Sequence, residues 1–157
     1  SGKATIESGG ISINGESAST FSIGLVYDAE IADKLDLQPN LSFGIGEKFE
    51  DPTTFEEKPN NAIGLGTTLQ FYVAGRDVGF SINGGLNWAK SLYDYEDGDD
   101  DGIKTAGFGM GLGLGYDITE ALNINASYGR SLTNYSDIDG IKLRSQSVGV
   151  SIQYLFN

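Results

Sequence analysis

Ala106-Gly107-Phe108-Gly109-Met110-Gly111-Leu112-Gly113-Leu114-Gly115-Tyr116 alternates without a break, an apolar side chain at every even position and glycine at every odd one. A repeat of two is that of an extended strand, whose successive side chains leave on opposite faces. A helix would scatter the same residues around its circumference. One face of this strand is apolar and the other almost bare. The strand lies within Thr105–Tyr116, and six further segments share its period: Phe21–Ala29, Leu35–Gly46, Ala62–Val73, Val78–Ala89, Ala121–Arg130 and Ser145–Phe156. In Leu35–Gly46, Leu35, Leu37, Pro39, Leu41, Phe43 and Ile45 oppose Asp36, Gln38, Asn40, Ser42, Gly44 and Gly46. An eighth segment, Lys3–Asn14, is weaker because Gly9-Gly10 blurs its register. Eight strands in a single domain over residues 1–157 are expected.

The connections alternate as well. Glu30–Lys34, Ala74–Asp77 and Asp117–Glu120 are short and turn-like, whereas Glu47–Asn61, Lys90–Lys104 and Ser131–Gly140 are long and polar, with a shorter loop near Gly15–Thr20. Loop, turn, loop, turn is the connectivity of an up-and-down barrel with short turns at one end and long loops at the other. Greek-key sandwiches do not sort their connections in this way.

Charge decides which face is buried. Across the seven clear segments only Asp28, Asp36 and Arg130 are charged, each within two residues of a segment end. The polar faces carry Gly, Ser, Asn, Gln and Thr, which pack inside a narrow barrel without the cost of burying charge. A water-facing surface so poor in charge is not that of a soluble protein, so the apolar face is the outer one. The aromatics agree. Phe21, Phe43, Trp88, Phe108 and Tyr128 fall toward the long-loop end, and Tyr27, Phe71, Phe80, Tyr116, Tyr154 and Phe156 toward the short-turn end. Aliphatic residues fill the belt between them. From Phe108 to Tyr116 the height is about 20 Å at ~3.3 Å per residue and a tilt near ~40°. Two aromatic rings about an aliphatic belt are what lipid–water interfaces select. The fold class expected is all-β: an eight-stranded antiparallel up-and-down transmembrane β-barrel. A soluble, lipocalin-like ligand carrier, with the same aromatics lining a cavity, is the alternative.

Composition removes whole classes of function. The chain has 157 residues, 23 of them Gly, no Cys, no His and a formal net charge of −12. Without Cys there are no disulfides, thiolate nucleophiles or Cys-ligated metals. Without His the commonest general base and metal ligand is gone. A pI near 4.1 opposes nucleic-acid binding, which needs Lys and Arg against phosphate. No run reaches the ~18 apolar residues of a spanning helix, and no cleavable apolar leader is present in the sequence.

With these features the chain resembles the small eight-stranded bacterial outer-membrane barrels of the OmpA-transmembrane and OmpX kind, over essentially its whole length. The most specific element is the last strand, where Val148, Val150, Ile152, Tyr154 and Phe156 alternate to a terminal aromatic. In that family such a strand is the signal read by the barrel-assembly machinery; Asn157 after the aromatic departs from the pattern. The resemblance implies a Gram-negative outer membrane, long loops outside, short turns in the periplasm, and a monomer in contact with lipid and lipopolysaccharide. With Phe156 closing the last strand at the end of the sequence, no peptidoglycan-binding module is expected. The enzymes of this architecture, lipid A palmitoyltransferase and deacylase and the omptin proteases, use a catalytic His, so a chain without His is expected not to be an enzyme and to need no cofactor.

Three features are candidates for function. Asp97, Asp99 and Asp101, followed by Gly102, match the first half of a calcium loop. The twelfth position is Phe108 and not the bidentate Glu, which excludes an EF-hand and leaves a looser calcium or magnesium site, bridging to lipopolysaccharide phosphate, beside the plainer reading of a solvated acidic loop. Glu47–Asn61 carries a net −3 and Lys90–Lys104 a net −4, so polyanionic ligands are disfavoured at the outer surface. Phe49, Phe55, Tyr93, Tyr95 and Tyr135 are the loop aromatics available to an extracellular partner. Finally, the glycine-rich lumen reads either as a narrow path for small solutes or ions, or as relief of crowding in a tight barrel. The expected role is structural or surface-interaction (adhesion-type), through acidic extracellular loops, with the narrow channel as the alternative.

Overall fold

The computed structural model describes residues 2–8, 11–47, 49–50, 57–58, 61–75, 79–92 and 104–154. The strands are β1 (Gly2–Ser8), β2 (Ile11–Ala18), β3 (Thr20–Val26), β4 (Ala29–Ala32), β5 (Leu35–Gly46), β6 (Phe49–Glu50), β7 (Glu57–Lys58), β8 (Asn61–Tyr72), β9 (Phe80–Ser91), β10 (Ala106–Thr119), β11 (Leu122–Ser131) and β12 (Ile141–Tyr154). One antiparallel sheet runs β2-β1-β12-β11-β10-β9-β8-β5-β3, with β4 also paired to β5; β6 and β7 form a separate hairpin inside the first long connection.

The sheet curls on itself. A cavity of about 470 Å³ is lined by residues of β3, β5, β8, β9, β10, β11 and β12, along the concave side of the curled sheet. Burial is inverted relative to a water-soluble core. The largest fully buried side chains are Gln70, Asn123, Asp36 and Ser81, and among the described residues the one buried hydrophobic is Tyr72. Outward, Leu112 is 69% exposed and Val150 77%. The alternation in the sequence is this inversion seen along each strand: on β10 the glycines turn inward while Phe108, Met110, Leu112, Leu114 and Tyr116 are exposed.

The path holds nine strands and open edges, not the eight expected. Two causes are visible at the N-terminus. The expected single strand Lys3–Asn14 is two strands, β1 and β2, paired antiparallel with each other. The loop expected near Gly15–Thr20 is absent, since β2 runs to Ala18 and β3 begins at Thr20 with only Ser19 between. The extended run 11–26 therefore pairs with β1 along its first part and with β5 along its second. The β1–β12 ladder covers Ile141–Ser147 of β12 and stops there. Below it, the cavity is lined by Ile23 and Leu25 on one side and Ile152 and Tyr154 on the other.

Elsewhere the register follows the alternation. β5 occupies the expected Leu35–Gly46, and Leu41 lies across from Leu65 on β8 and from Leu25 on β3. The turn expected at Asp117–Glu120 falls later: β10 continues through a bulge to Thr119, and Asp117 remains in the ladder, its N–H donating to the Gly79 carbonyl at 3.0 Å. Between β3 and β4 the strand breaks at Tyr27 and Asp28, although the Tyr27 N–H still reaches the Pro39 carbonyl at 3.0 Å.

Candidate functional site

The inward face is polar and, at the short-turn end, acidic. Asp36 and Gln38 on β5, Gln70 and Tyr72 on β8, Ser81 and Asn83 on β9, Asp117 on β10 and Asn123 and Asn125 on β11 are all buried. Alternation puts them there, since each lies in step with the inward glycines of its strand or its neighbour. The Tyr72 hydroxyl is hydrogen-bonded to Asp36 and has Asp28 and Asp117 within electrostatic reach. Asn123 Nδ2 donates to Asp117 Oδ1 at 2.6 Å, and Gln38 Nε2 to Asp28 Oδ1 at 3.2 Å.

Glycine on one strand makes room for an amide or hydroxyl on the next. A Cβ on Gly113 would meet Asn83 Oδ1, and the Ala126 carbonyl and Asn125 Oδ1 at 2.9 Å; one on Gly115 would meet Ser81 Oγ, and Asn123 Nδ2 at 3.2 Å. The glycine-rich face is thus largely filled from its neighbours. What is left is the cavity at mid-height, among Gln38, Asn40, Asn83, Asn87 and Asn125.

At the long-loop end the β11–β12 connection is a built surface. Asn134 Nδ2 donates to the carbonyls of Ser136 at 3.0 Å and Ile141 at 3.1 Å, while its Oδ1 accepts from Leu143 N at 2.7 Å and Ser136 N at 3.3 Å. Thr133 Oγ1 accepts from Phe108 N at 2.8 Å, tying the loop to β10. Lys104 bonds the loop twice: its N–H donates to the Tyr135 carbonyl at 2.7 Å, and its Nζ lies 2.8 Å from Asp137 Oδ1. The ring of Tyr135 lies over Gly107, where a Cβ would meet it at 2.7–2.8 Å. Burial pushes the Tyr135 phenol above its ordinary pKa. Leu132 and Ile138 remain exposed on this loop.

The aromatics proposed as rings face outward. Phe21, Phe43, Phe108, Tyr128, Tyr27, Phe71, Phe80, Tyr116 and Tyr154 are exposed and Trp88 is half-buried, opposite Phe108 in the ladder. At the other end Phe80 is opposite Tyr116. Val148, Val150, Ile152 and Tyr154 form one exposed row on β12, while Phe156 lies outside the described residues. Asp97, Asp99 and Asp101 also lie outside them, as do Phe55, Tyr93 and Tyr95. Tyr135, expected as a loop aromatic open to a partner, is instead packed on the barrel wall. Asp117 was missed as an inward residue; extending the odd-numbered parity of Gly107–Gly115 by one more step finds it.

A curled antiparallel sheet that buries amides and exposes aliphatics has the burial of an outer-membrane barrel. Residues 2–156 match the family model described as outer membrane protein beta-barrel domain, and the chain belongs to that family. Its place is the outer membrane. Among solved structures, the outer membrane enzyme PagL is similar at 15% identity and a TM-score of 0.56, over 98% of each chain. Ail, the attachment invasion locus protein of Yersinia pestis, solved with the heparin analogue sucrose octasulfate, is 14% identical with a TM-score of 0.47, covering 98% of this chain and 93% of its own. The NanC porin is 13% identical with a TM-score of 0.32, over 87% and 79%. No curated protein sequence matches the chain significantly.

Proposed function

We propose that the chain is a non-enzymatic, eight-stranded up-and-down barrel spanning the outer membrane, with a structural or surface-interaction role exercised at its long-loop end. The observation that carries the spanning barrel is the inversion of burial: amides and carboxylates inside, exposed leucines, valines and isoleucines outside. In water that outer face would be an aggregation surface, and in hydrocarbon it is the favourable one. Eight rows result when β2, Ser19, β3 and β4 are counted as one extended run beside β1, β5, β8, β9, β10, β11 and β12. Trp88 opposite Phe108 and Phe80 opposite Tyr116 support interfacial rings at the two levels. The long loops then face outward from the cell and the short turns the periplasm. Lipid and lipopolysaccharide surround a monomer, and the β12 row of Val148, Val150, Ile152 and Tyr154, with Phe156, serves the assembly machinery.

The hydrogen-bonded β11–β12 loop supports a surface role, since it holds Leu132, Ile138 and Asp137 in fixed positions for a partner. With neither His nor Cys in the sequence, a Ser–His or Cys–His nucleophile has no counterpart here. The likeness to an outer-membrane enzyme, at 15% identity, bears on fold alone.

The cavity of about 470 Å³ favours a second reading, a narrow channel for small solutes or ions. Planar-bilayer recording separates the two. Silence at physiological potentials is expected, and a reproducible unit conductance would replace the structural reading with the channel. Folded protein that stays monomeric in buffer without detergent would overturn both in favour of a soluble carrier.

A further inference from the structure

The chain is acidic overall, yet its last two strands are not. β11 and β12 carry Arg130, Lys142 and Arg144 and no Asp or Glu. All three cations belong to the outward face. Tyr128 and Val148 are exposed and lie across from each other in the β11–β12 ladder. Their even-numbered parity continues without a register shift through Arg130 on β11 and through Gln146, Arg144 and Lys142 on β12. A contact fixes the same face: the Tyr128 hydroxyl donates to Gln146 Oε1 at 3.1 Å. Arg130 stands directly across from Gln146, which puts it diagonally beside Arg144, at the ~7–8 Å usual for such neighbours. On the other flank of β12, Lys3 occupies the register position opposite Gln146.

These cations lack partners. Arg144 Nε is buried with no hydrogen bond, and among the described residues none of Arg130, Lys142 and Arg144 is ion-paired. Glu7 lies across from Lys142 on β1, and Asp137 of the adjoining loop is bound to Lys104. A guanidinium with its Nε out of water calls for an acceptor, and its planar fork suits phosphate oxygens. Height indicates where such a phosphate comes from. Arg130 lies about 5 Å and Arg144 about 10 Å beyond the Tyr128–Val148 row, at ~3.3 Å per residue and a tilt near ~40°. That is the headgroup layer above an interfacial aromatic. Below Arg144 and Gln146 the same column of β12 continues as Val148, Val150 and Ile152, all exposed. Cations above an aliphatic rail match an amphiphile standing in the membrane. A soluble polyanion would have to pass the acidic loops Glu47–Asn61 and Lys90–Lys104, whereas a lipid arrives in the plane of the bilayer.

We propose that the outer wall of β11 and β12 is a binding site for a phosphorylated lipid of the outer leaflet, with Arg130 and Arg144 on the phosphate and Val148, Val150 and Ile152 along an acyl chain. Gln146, its Oε1 engaged by Tyr128, offers its amide nitrogen to the same headgroup. Lys142, farther out, adds charge. The site rests on the membrane-spanning reading of the barrel and narrows its general contact with lipid to one place on the wall. It needs no divalent cation and is separate from Asp97, Asp99 and Asp101.

The test uses the full chain refolded in an uncharged detergent, its fold verified by heat-modifiable gel mobility, with chelator present throughout. Lipid A is the probe, its dephosphorylated form and inorganic phosphate are the controls, and native mass spectrometry reads the bound fraction. Saturable binding of lipid A is expected, with the dephosphorylated lipid about tenfold weaker or more and inorganic phosphate unable to displace it. Arg130→Gln and Arg144→Gln should each weaken lipid A about fivefold, and the pair about twenty-fivefold. Lys34→Gln, which removes the same charge at the short-turn end, should change nothing. Arg144→Lys keeps the charge without the fork and should fall between the parent and Arg144→Gln. Should the paired variant fail to fold, Arg130→Gln/Lys142→Gln serves, with a loss larger than that of Arg130→Gln alone. The proposal is overturned if the arginine variants bind lipid A as the parent does, or if Lys34→Gln weakens it equally. It is equally overturned if the dephosphorylated lipid binds as tightly, if inorganic phosphate displaces lipid A, or if lipid A does not bind in chelator. Each of these results leaves the barrel in its micelle; protein that stays folded and monomeric without detergent would instead overturn the spanning reading beneath it.

Discussion

Gly107→Ala is the smallest change that tests how the β11–β12 loop is held to the barrel. The new methyl would stand 2.7–2.8 Å from Cε1, Cζ and the hydroxyl oxygen of Tyr135, closer than side chains tolerate. The strand backbone is pinned by the ladder to Ala89 on β9, so the ring must yield. A fully buried aromatic removes about 150–250 Å² from water. For a half-buried ring roughly 100 Å² is at stake, which at ~25 cal/mol per Å² gives about 2.5 kcal/mol if the ring is expelled completely. Partial displacement leaves a cost of about 1–2.5 kcal/mol. Tyr135→Ala forfeits the same burial, so adding Gly107→Ala to it should cost almost nothing further, a non-additivity of about 1–2.5 kcal/mol. Denaturant unfolding in micelles, followed by Trp88 fluorescence and gel mobility, measures the cycle. An alkaline titration gives a second reading. The phenol pKa of Tyr135 is raised in the folded state, so it contributes stability that is present below the ordinary value of about 10 and lost as pH climbs through the raised value. Gly107→Ala should return that tyrosine to the ordinary range and remove this part of the alkaline loss. Strict additivity in the cycle, with an unchanged titration, would refute the packing of Tyr135 on Gly107.

Three further outcomes are expected. Asn134→Ala removes four side-chain hydrogen bonds within the loop; at about 1 kcal/mol or less each after solvent compensation, the loss of roughly 2–3 kcal/mol should appear as faster amide exchange at Ser136 and Leu143. Leu112→Arg, at mid-height of the outer face, should cost about 2–4 kcal/mol in lipid vesicles, and much less for the same charge placed at the rim in Ile138→Arg. Lys104→Ala breaks an ion pair exposed on both sides; a change under about 1 kcal/mol, shrinking further in high salt, is expected from denaturation curves.

Much of the wall was legible because its signal is local. Each residue of β5 or β10 declares its face by its neighbours one and two positions away, so Leu35–Gly46 could be delimited from composition alone. What escaped depends on partners distant in sequence. Tyr135 reads as a free loop aromatic until Gly107, 28 positions earlier, is placed beneath it. Asp117 reads as a turn residue because Asp favours turns, yet the ladder to Asn123 and the Gly79 carbonyl hold it in the strand. At the N-terminus a weak alternation reads as one strand, and its division into two shows only in the pairing of β1 with β2. The acidic end of the lumen was the least legible part, since its carboxylates come from segments far apart in the chain and each looks incidental alone.

The short β1–β12 ladder has a kinetic consequence. Every other junction in the wall joins strands close in the chain, whereas this one joins residues 2–8 to 141–147, so its loop-closure entropy is the largest in the molecule. Hairpins such as β10–β11 can zip as soon as they reach lipid, but this seam must wait until nearly the whole chain is in place. It is also among the shorter ladders, seven pairs against eleven for β9–β10. The β1–β12 seam is therefore expected to form last and, under stress, to unzip first.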